Sequence, residues 1–250
     1  MTPTQLTHVT DGVHRLSHAN VNCYLIEDED GVTLVDAGLP VMWSMLIDAL
    51  EATNRRPDEI RALILTHGQF DHVGFARRAQ QEFDIPVLVH PKDSYLAAHP
   101  YSYRSQSNRL LYPLRRPRSF PVLGRMLAAG ALSVTGVDDT EKLAVGTPLP
   151  LPGSPVALHS PGHTRGHCII HLPDRDTVIS GDALVTLDPY TGATGPRIVA
   201  SAATENTRGA IDSLLTVAAT GATTVLPGHG HPWTGGAQHA VDLALEAGER

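Results

Sequence analysis

Four short apolar runs, far apart in the chain, each end in small or bend-forming residues and then at once in a histidine or an aspartate. R-A-L-I-L-T runs into His67, and V-A-L-H-S into Pro161-Gly162-His163. T-V-I-S runs into Gly181-Asp182, and T-T-V-L into Pro227-Gly228-His229. Runs of this length, rich in apolar and β-branched residues, read as buried strands. In α/β sheets the loops beyond the carboxyl ends of strands collect on one edge, where sites form. A rigid sheet can therefore hold polar groups from distant parts of the chain in one cluster.

Between these runs the chain reads as alternating strands and helices. Val21–Glu27 and Gly31–Asp36 are expected to be two strands, and Val41 to about Thr53 a helix with Met42, Met45, Leu46, Ala49 and Leu50 on one face. Helices are also expected from Val73 to about Phe83, over roughly Ala202–Ala219 with Gly221 closing it, and from about Ala237 to Ala247. Pro86–Val89, Val156–His159, Cys168–His171, Thr177–Ile179 and Thr223–Leu226 complete the expected strands. No linker rich in Gly and Ser divides the 250 residues, so residues 1–250 read as one α/β domain. Residues 95–137 break the pattern, with six arginines and no Asp or Glu. The segment reads as an insertion with helices near Arg104–Tyr112 and Pro121–Ala129, either a solvated hairpin or a lid over a site.

The loop Thr66–Gly74, T-H-G-Q-F-D-H-V-G, carries His67, Gln69, Asp71 and His72. Borderline cations take imidazole nitrogen and carboxylate oxygen, and catalytic sites leave a position for water. In an extended loop residues 67 and 69 point the same way, while Asp71 and His72 diverge near a helix start. Such a comb can feed two adjacent cations. One Gly-His pair would mean little; the ordered set H-x-Q-x-D-H, P-G-H-T-x-G-H, S-G-D and P-G-H-G is specific.

From about Gly12 to Trp233, including L-V-D-A-G, the chain resembles the metallo-β-lactamase-fold hydrolases. The resemblance implies an αββα sandwich of two mixed β-sheets flanked by helices. It implies one metal site of His67, Gln69 and His163, a second of Asp71, His72 and His229, and Asp182 bridging the two. Asp71 and Asp182 are the candidate catalytic carboxylates. The family motif reads H-x-H-x-D-H, so Gln69 stands where a histidine is expected. An amide oxygen is a weaker donor than imidazole. The expectation is one tight Zn2+ at Asp71, His72, His229 and Asp182, with a second ion weak or absent at His67/His163; Mn or Fe are alternatives to zinc.

The resemblance implies a hydrolase in which a metal-bound hydroxide cleaves an ester-like bond: a lactone, a thioester or another ester. The alternative is a weakened centre serving a binding or regulatory module. A small-molecule substrate with an anionic end is expected, received by at least one arginine of the insertion. A net charge of -7 argues against nucleic acid, and no apolar run approaches the roughly 18 residues of a membrane span. No basic start precedes an apolar run, so a cytoplasmic location is expected. Cys23 and Cys168 lie in strand-like runs and read as buried thiols. Of the remaining histidines, His167 is the one expected to support a ligand, while His90, His159 and His171 read as packed residues. Thr164 and Ser180, beside ligands, are candidates to orient them.

Overall fold

The computed structural model describes residues 6–109 and 111–248. Its first sheet begins with an antiparallel series, β1 (Leu6–Thr10), β2 (Val13–His18), β3 (Val21–Asp28) and β4 (Gly31–Val35). It continues with parallel strands β5 (Ile60–Ile64), β6 (Val87–Val89) and β7 (Glu141–Lys142). The second sheet has the order β13-β10-β9-β8, built from β8 (Val156–His159), β9 (Cys168–Leu172), β10 (Thr177–Gly181) and β13 (Thr224–Pro227). Here β8, β9 and β10 are antiparallel and β13 joins β10 in parallel. A small hairpin, β11 (Val185–Leu187) and β12 (Thr194–Arg197), stands apart.

Alternation along β3 sorts its side chains between two layers. Cys23 and Leu25 face the helices α1 (Met42–Ala52) and α3 (Ala76–Phe83), with Met42, Leu46 and Ala79 in the same cluster. Tyr24 and Ile26 face the second sheet and meet Ile170, Ile179 and Leu226. On the far side, α6 (Thr207–Ala218) and α7 (Ala237–Ala247) cover that sheet through Leu214, Val217, Ala240 and Val241. The layers are therefore helix, sheet, sheet, helix, as the resemblance implied. Both thiols are buried, and burial pushes Cys168 up to about 12.

Three expectations are corrected. Among the described residues of the stretch near Arg104–Tyr112 there is no helix. Ser105 and Asn108 spend their side chains on local backbone groups, and the Gln106 and Ser107 amides donate to the Thr204 and Ser201 carbonyls. The second insertion helix does form, as α5 (Phe120–Ala128), after the short α4 (Ser94–Ala98). The helix expected from Val73 is split into α2 (Phe70–Val73) and α3, because the Gly74 amide donates out to the Gly38 carbonyl at 2.9 Å. Finally, α6 starts only at Thr207, where Asn206 accepts from the Gly209 amide. Residues 199–205 form a loop that serves the site.

Candidate metal centre

His67 follows β5, Asp71 and His72 lie on α2, His163 follows β8, Asp182 follows β10 and His229 follows β13. All six side chains are buried, and they fall into two groups: His67, His163 and Asp182, and Asp71, His72 and His229. Within each group the ligand atoms lie within 4.8 Å of one another. Asp182 joins them: Oδ1 is 3.4 Å from His72 Nε2, and Oδ2 is 3.5 Å from His163 Nε2 and 3.3 Å from His229 Nε2. Space for this carboxylate is made by Gly228, where an added Cβ would collide with Asp182 Oδ1 and lie 2.7 Å from His72 Cε1.

The far ring nitrogens are already engaged. His72 Nδ1 donates to Asp36 Oδ2 at 2.8 Å, and His229 Nδ1 to the Asn20 carbonyl at 2.9 Å. His163 Nδ1 faces Thr204 Oγ1 at 3.3 Å, and His67 Nδ1 faces Thr66 Oγ1 at 3.0 Å. Partners of this kind fix ring tautomer and orientation. In contrast, the Nε2 atoms of His67, His72 and His163, Asp71 Oδ1 and Asp182 Oδ1 are buried without a hydrogen bond among the described residues. Leaving one buried polar atom unpaired costs about 1–3 kcal/mol. Five gathered in one spot, all imidazole nitrogen or carboxylate oxygen, fit a divalent cation.

The two halves differ electrically. Burial drives His67 well below 6.5, helped by His72 and His163, and takes His163 down to about 4 against the pull of Asp182. In the other half burial opposes charge, but carboxylates prevail. Asp36 and Asp182 lift His72 well above 6.5, and Asp182 and Asp71 lift His229 to about 10. Burial likewise works against the Asp182 carboxylate, yet His229 and His72 hold it well below the usual range.

Gln69 is buried just before α2, and its amide nitrogen donates to the Ala203 carbonyl at 2.9 Å. Backbone therefore sets the orientation of this side chain. His167 supports a ligand loop as expected: its Nε2 accepts from the Asp182 amide at 3.0 Å and its Nδ1 meets Ser160 Oγ at 2.8 Å. His90 and His159 stack on each other at 4.4 Å. Neither the Thr164 nor the Ser180 hydroxyl bonds the neighbouring ligand side chain directly. Thr164 donates to Asp93 Oδ2 and Ser180 to the Leu184 carbonyl.

Two carboxylates escaped the sequence reading. Asp36 accepts from the Thr66 amide and hydroxyl as well as from His72. Asp93 accepts from the Gly68 amide at 3.1 Å, Thr164 Oγ1 at 2.6 Å and the Gly166 amide at 2.7 Å, so it ties the His67 loop to the His163 loop. The L-V-D-A-G run pointed at Asp36, but nothing in the local sequence singled out Asp93.

The insertion borders the centre. Phe70, between Gln69 and Asp71, stacks on Tyr101 at 5.6 Å and on Tyr103 at 6.4 Å, and the Tyr103 hydroxyl meets that of Tyr190 at 3.0 Å. Gln106 Oε1 accepts from the Thr207 amide at 2.8 Å, and Ser107 Oγ meets Ser201 Oγ at 2.7 Å. The Tyr101–Ser107 strip is thus bonded to the very loop that holds Gln69 and His163.

Comparison with known proteins agrees with this fold. The family model described as the metallo-beta-lactamase superfamily matches residues 18–229. A probable metallo-hydrolase of Bacillus subtilis, YflN, is 27% identical over 238 residues, covering 90% of this chain and 86% of that protein. An uncharacterized protein of Mycobacterium tuberculosis is 30% identical over 233 residues, covering 90% and 92%. Among solved structures, a metallo-beta-lactamase family protein from Thermus thermophilus superposes with a TM-score of 0.67 at 21% identity, covering 95% of this chain and 79% of that one. A second, TTHA1623 in a di-iron-bound form, gives a TM-score of 0.57 at 26% identity, covering 91% and 94%. With sandwich, strand-end donors and a match reaching to His229 all in agreement, the chain belongs to the metallo-β-lactamase superfamily, a family of metal-dependent hydrolases.

Proposed function

We propose that the chain hydrolyses an ester-like bond of a small molecule, in a lactone, a thioester or another ester, at a centre with unequal halves. The observation that carries this reading is the convergence of five buried, unpartnered donor atoms on one spot. Asp71, His72, His229 and Asp182 would hold the tighter cation; His67 and His163, sharing Asp182, would hold the weaker. Zinc, iron and manganese all accept such donors, and a relative with a di-iron form makes iron a choice to test beside zinc. When bound, the cation supplies a water that ionises near neutral pH and polarises the scissile carbonyl.

The chain's own residues do the rest. Asp36, Asn20, Thr204 and Thr66 hold the imidazoles in register from behind. Asp71 has two carboxylate oxygens, of which one would hold the cation and the other would accept the proton of an attacking water. Phe70, Tyr101, Tyr103 and Tyr190 form an aromatic wall that shields the reacting carbonyl from bulk water and suits an acyl or aromatic body. The weakness of the first half follows from Gln69, whose amide oxygen is a weaker metal donor than an imidazole nitrogen.

A panel of chromogenic lactones, thioesters and esters, offered to protein loaded with each metal, tests the reading. Hydrolysis of at least one class, reduced about 10²-fold or more in Asp71→Asn, supports it. Absence of hydrolysis in every class with metal loaded favours the binding or regulatory module instead.

A further inference from the structure

We propose that Arg109, with the paired hydroxyls of Tyr103 and Tyr190, forms a subsite that receives a carboxylate or similar anion on the substrate. This deepens the hydrolase reading by naming the substrate class: small ester-like molecules with an anionic group beside an acyl or aromatic body.

The insertion carries six arginines and no acid, and among the described residues none of the six lies in an ion pair. They are not equivalent. Arg109 lies over the Tyr103 ring at 4.7 Å, and its Nη1 donates to the Tyr101 carbonyl at 3.0 Å. Arg116 also meets a ring, that of Tyr112, but at 5.7 Å. Tyr101 and Tyr103 are the two tyrosines stacked on Phe70, the residue between Gln69 and Asp71. Arg109 is therefore fixed on the wall of the centre.

A guanidinium held over a ring keeps N–H groups available beyond the one spent on the Tyr101 carbonyl, and its planar fork matches a carboxylate. The stacking holds the side chain in place, so less ordering is needed when an anion arrives. One Tyr hydroxyl donates to the other, so the pair leaves one O–H donor nearby. Tyr190 is largely buried, pushed well above 10 first by burial, with Tyr103 and Asp71 adding to the rise and Arg109 opposing it. The same residue thus feels both Asp71 of the centre and Arg109 of the wall, and an anion at Arg109 would leave the body of the molecule along Phe70.

The test reads binding without turnover, using 4-nitrophenylacetate and its neutral amide, 4-nitrophenylacetamide, by calorimetry on metal-loaded protein. Wild type should bind the acid about tenfold more tightly than the amide. Arg109→Ala should bring the acid down to the amide's level and leave the amide unchanged, while Arg115→Ala keeps the preference. Tyr190→Phe should reduce the preference in part. A preference that survives intact in Arg109→Ala overturns the proposal, because the metal then holds the carboxylate. An equal loss for both ligands also overturns it, since Arg109 would then be only a support for the wall. Hydrolysis is scored separately: an intact, Arg109-dependent preference with silence across the ester panel refutes the hydrolytic reading alone.

Discussion

At the scale of the residue, the centre depends on groups that never touch the cation. Asp93 bridges two ligand loops that belong to different sheets, through Gly68 on one and Thr164 and Gly166 on the other. Burial pushes its carboxyl above the usual range, and the three donors pull it back. Removing it leaves three buried donors unmatched and frees His67 and His163 to drift. Asp93→Ala is expected to weaken metal binding about 10–100-fold, chiefly at the His67/His163 half, as read by metal titration of a folded sample. Asp36→Ala should cost a similar factor, chiefly at the half that contains His72. Gly228→Ala should be harsher, because the new Cβ would occupy the place of the Asp182 carboxylate. A Gly228→Ala protein with normal metal content would contradict the packing described above. The candidate ligands were legible because each of the loops that carries them follows a strand run of its own. Asp93 was not, since its three partners come from two loops, one of them more than seventy residues away.

At the scale of the element, the legible pieces were those whose pattern is set by a buried face. Val156–His159 and Ala237–Ala247 agree in their bounds with the reading from sequence. The pair β1 and β2 was missed because His14 and Arg15 are buried polar residues within a strand, which hides the alternation. Arg15 reaches the Gly230 carbonyl, and His14 meets Glu27 across the sheet at 2.7 Å. The hairpin β11–β12 was missed because its second strand, T-G-P-R, has the composition of a loop. Glu27 gives this edge of the sheet a pH dependence. Partial burial pushes its pKa up, but the Arg55 guanidinium at 2.9 Å and the His14 ring bring it below the usual carboxylate value. A folded-state pKa below the unfolded one stabilises the fold at pH above the unfolded value, near 4.3, and that stability is lost as pH falls through the lower folded value. Glu27→Gln should therefore flatten the fall of Tm in this acid range and cost under about 1 kcal/mol at neutral pH, as read by thermal melts across pH. A wild-type Tm that stays flat through this range, or a variant just as steep as wild type, would remove Glu27 as the cause.

At the scale of the whole molecule, two sheets meet so that strand ends from both supply one buried cluster, and the last ligand loop is tied to the first sheet. Asn22 and Tyr24 of β3 donate to the Pro227 carbonyl, and the Asn22 amide to that of Gly228. Metal binding and folding are coupled by such ties, because the donor set exists only when both sheets are assembled. Chelation should lower Tm, and restoring zinc should raise it with a dependence on free-metal concentration. Among the described residues no helix is long and apolar enough to cross a membrane. The central claim, that Gln69 has made the two halves of the centre unequal, is tested most directly by metal content per chain after limited chelation, in wild type and Gln69→His side by side. The account predicts one retained ion in wild type, held by Asp71, His72, His229 and Asp182, and two in Gln69→His. Two equally retained ions in wild type would contradict it.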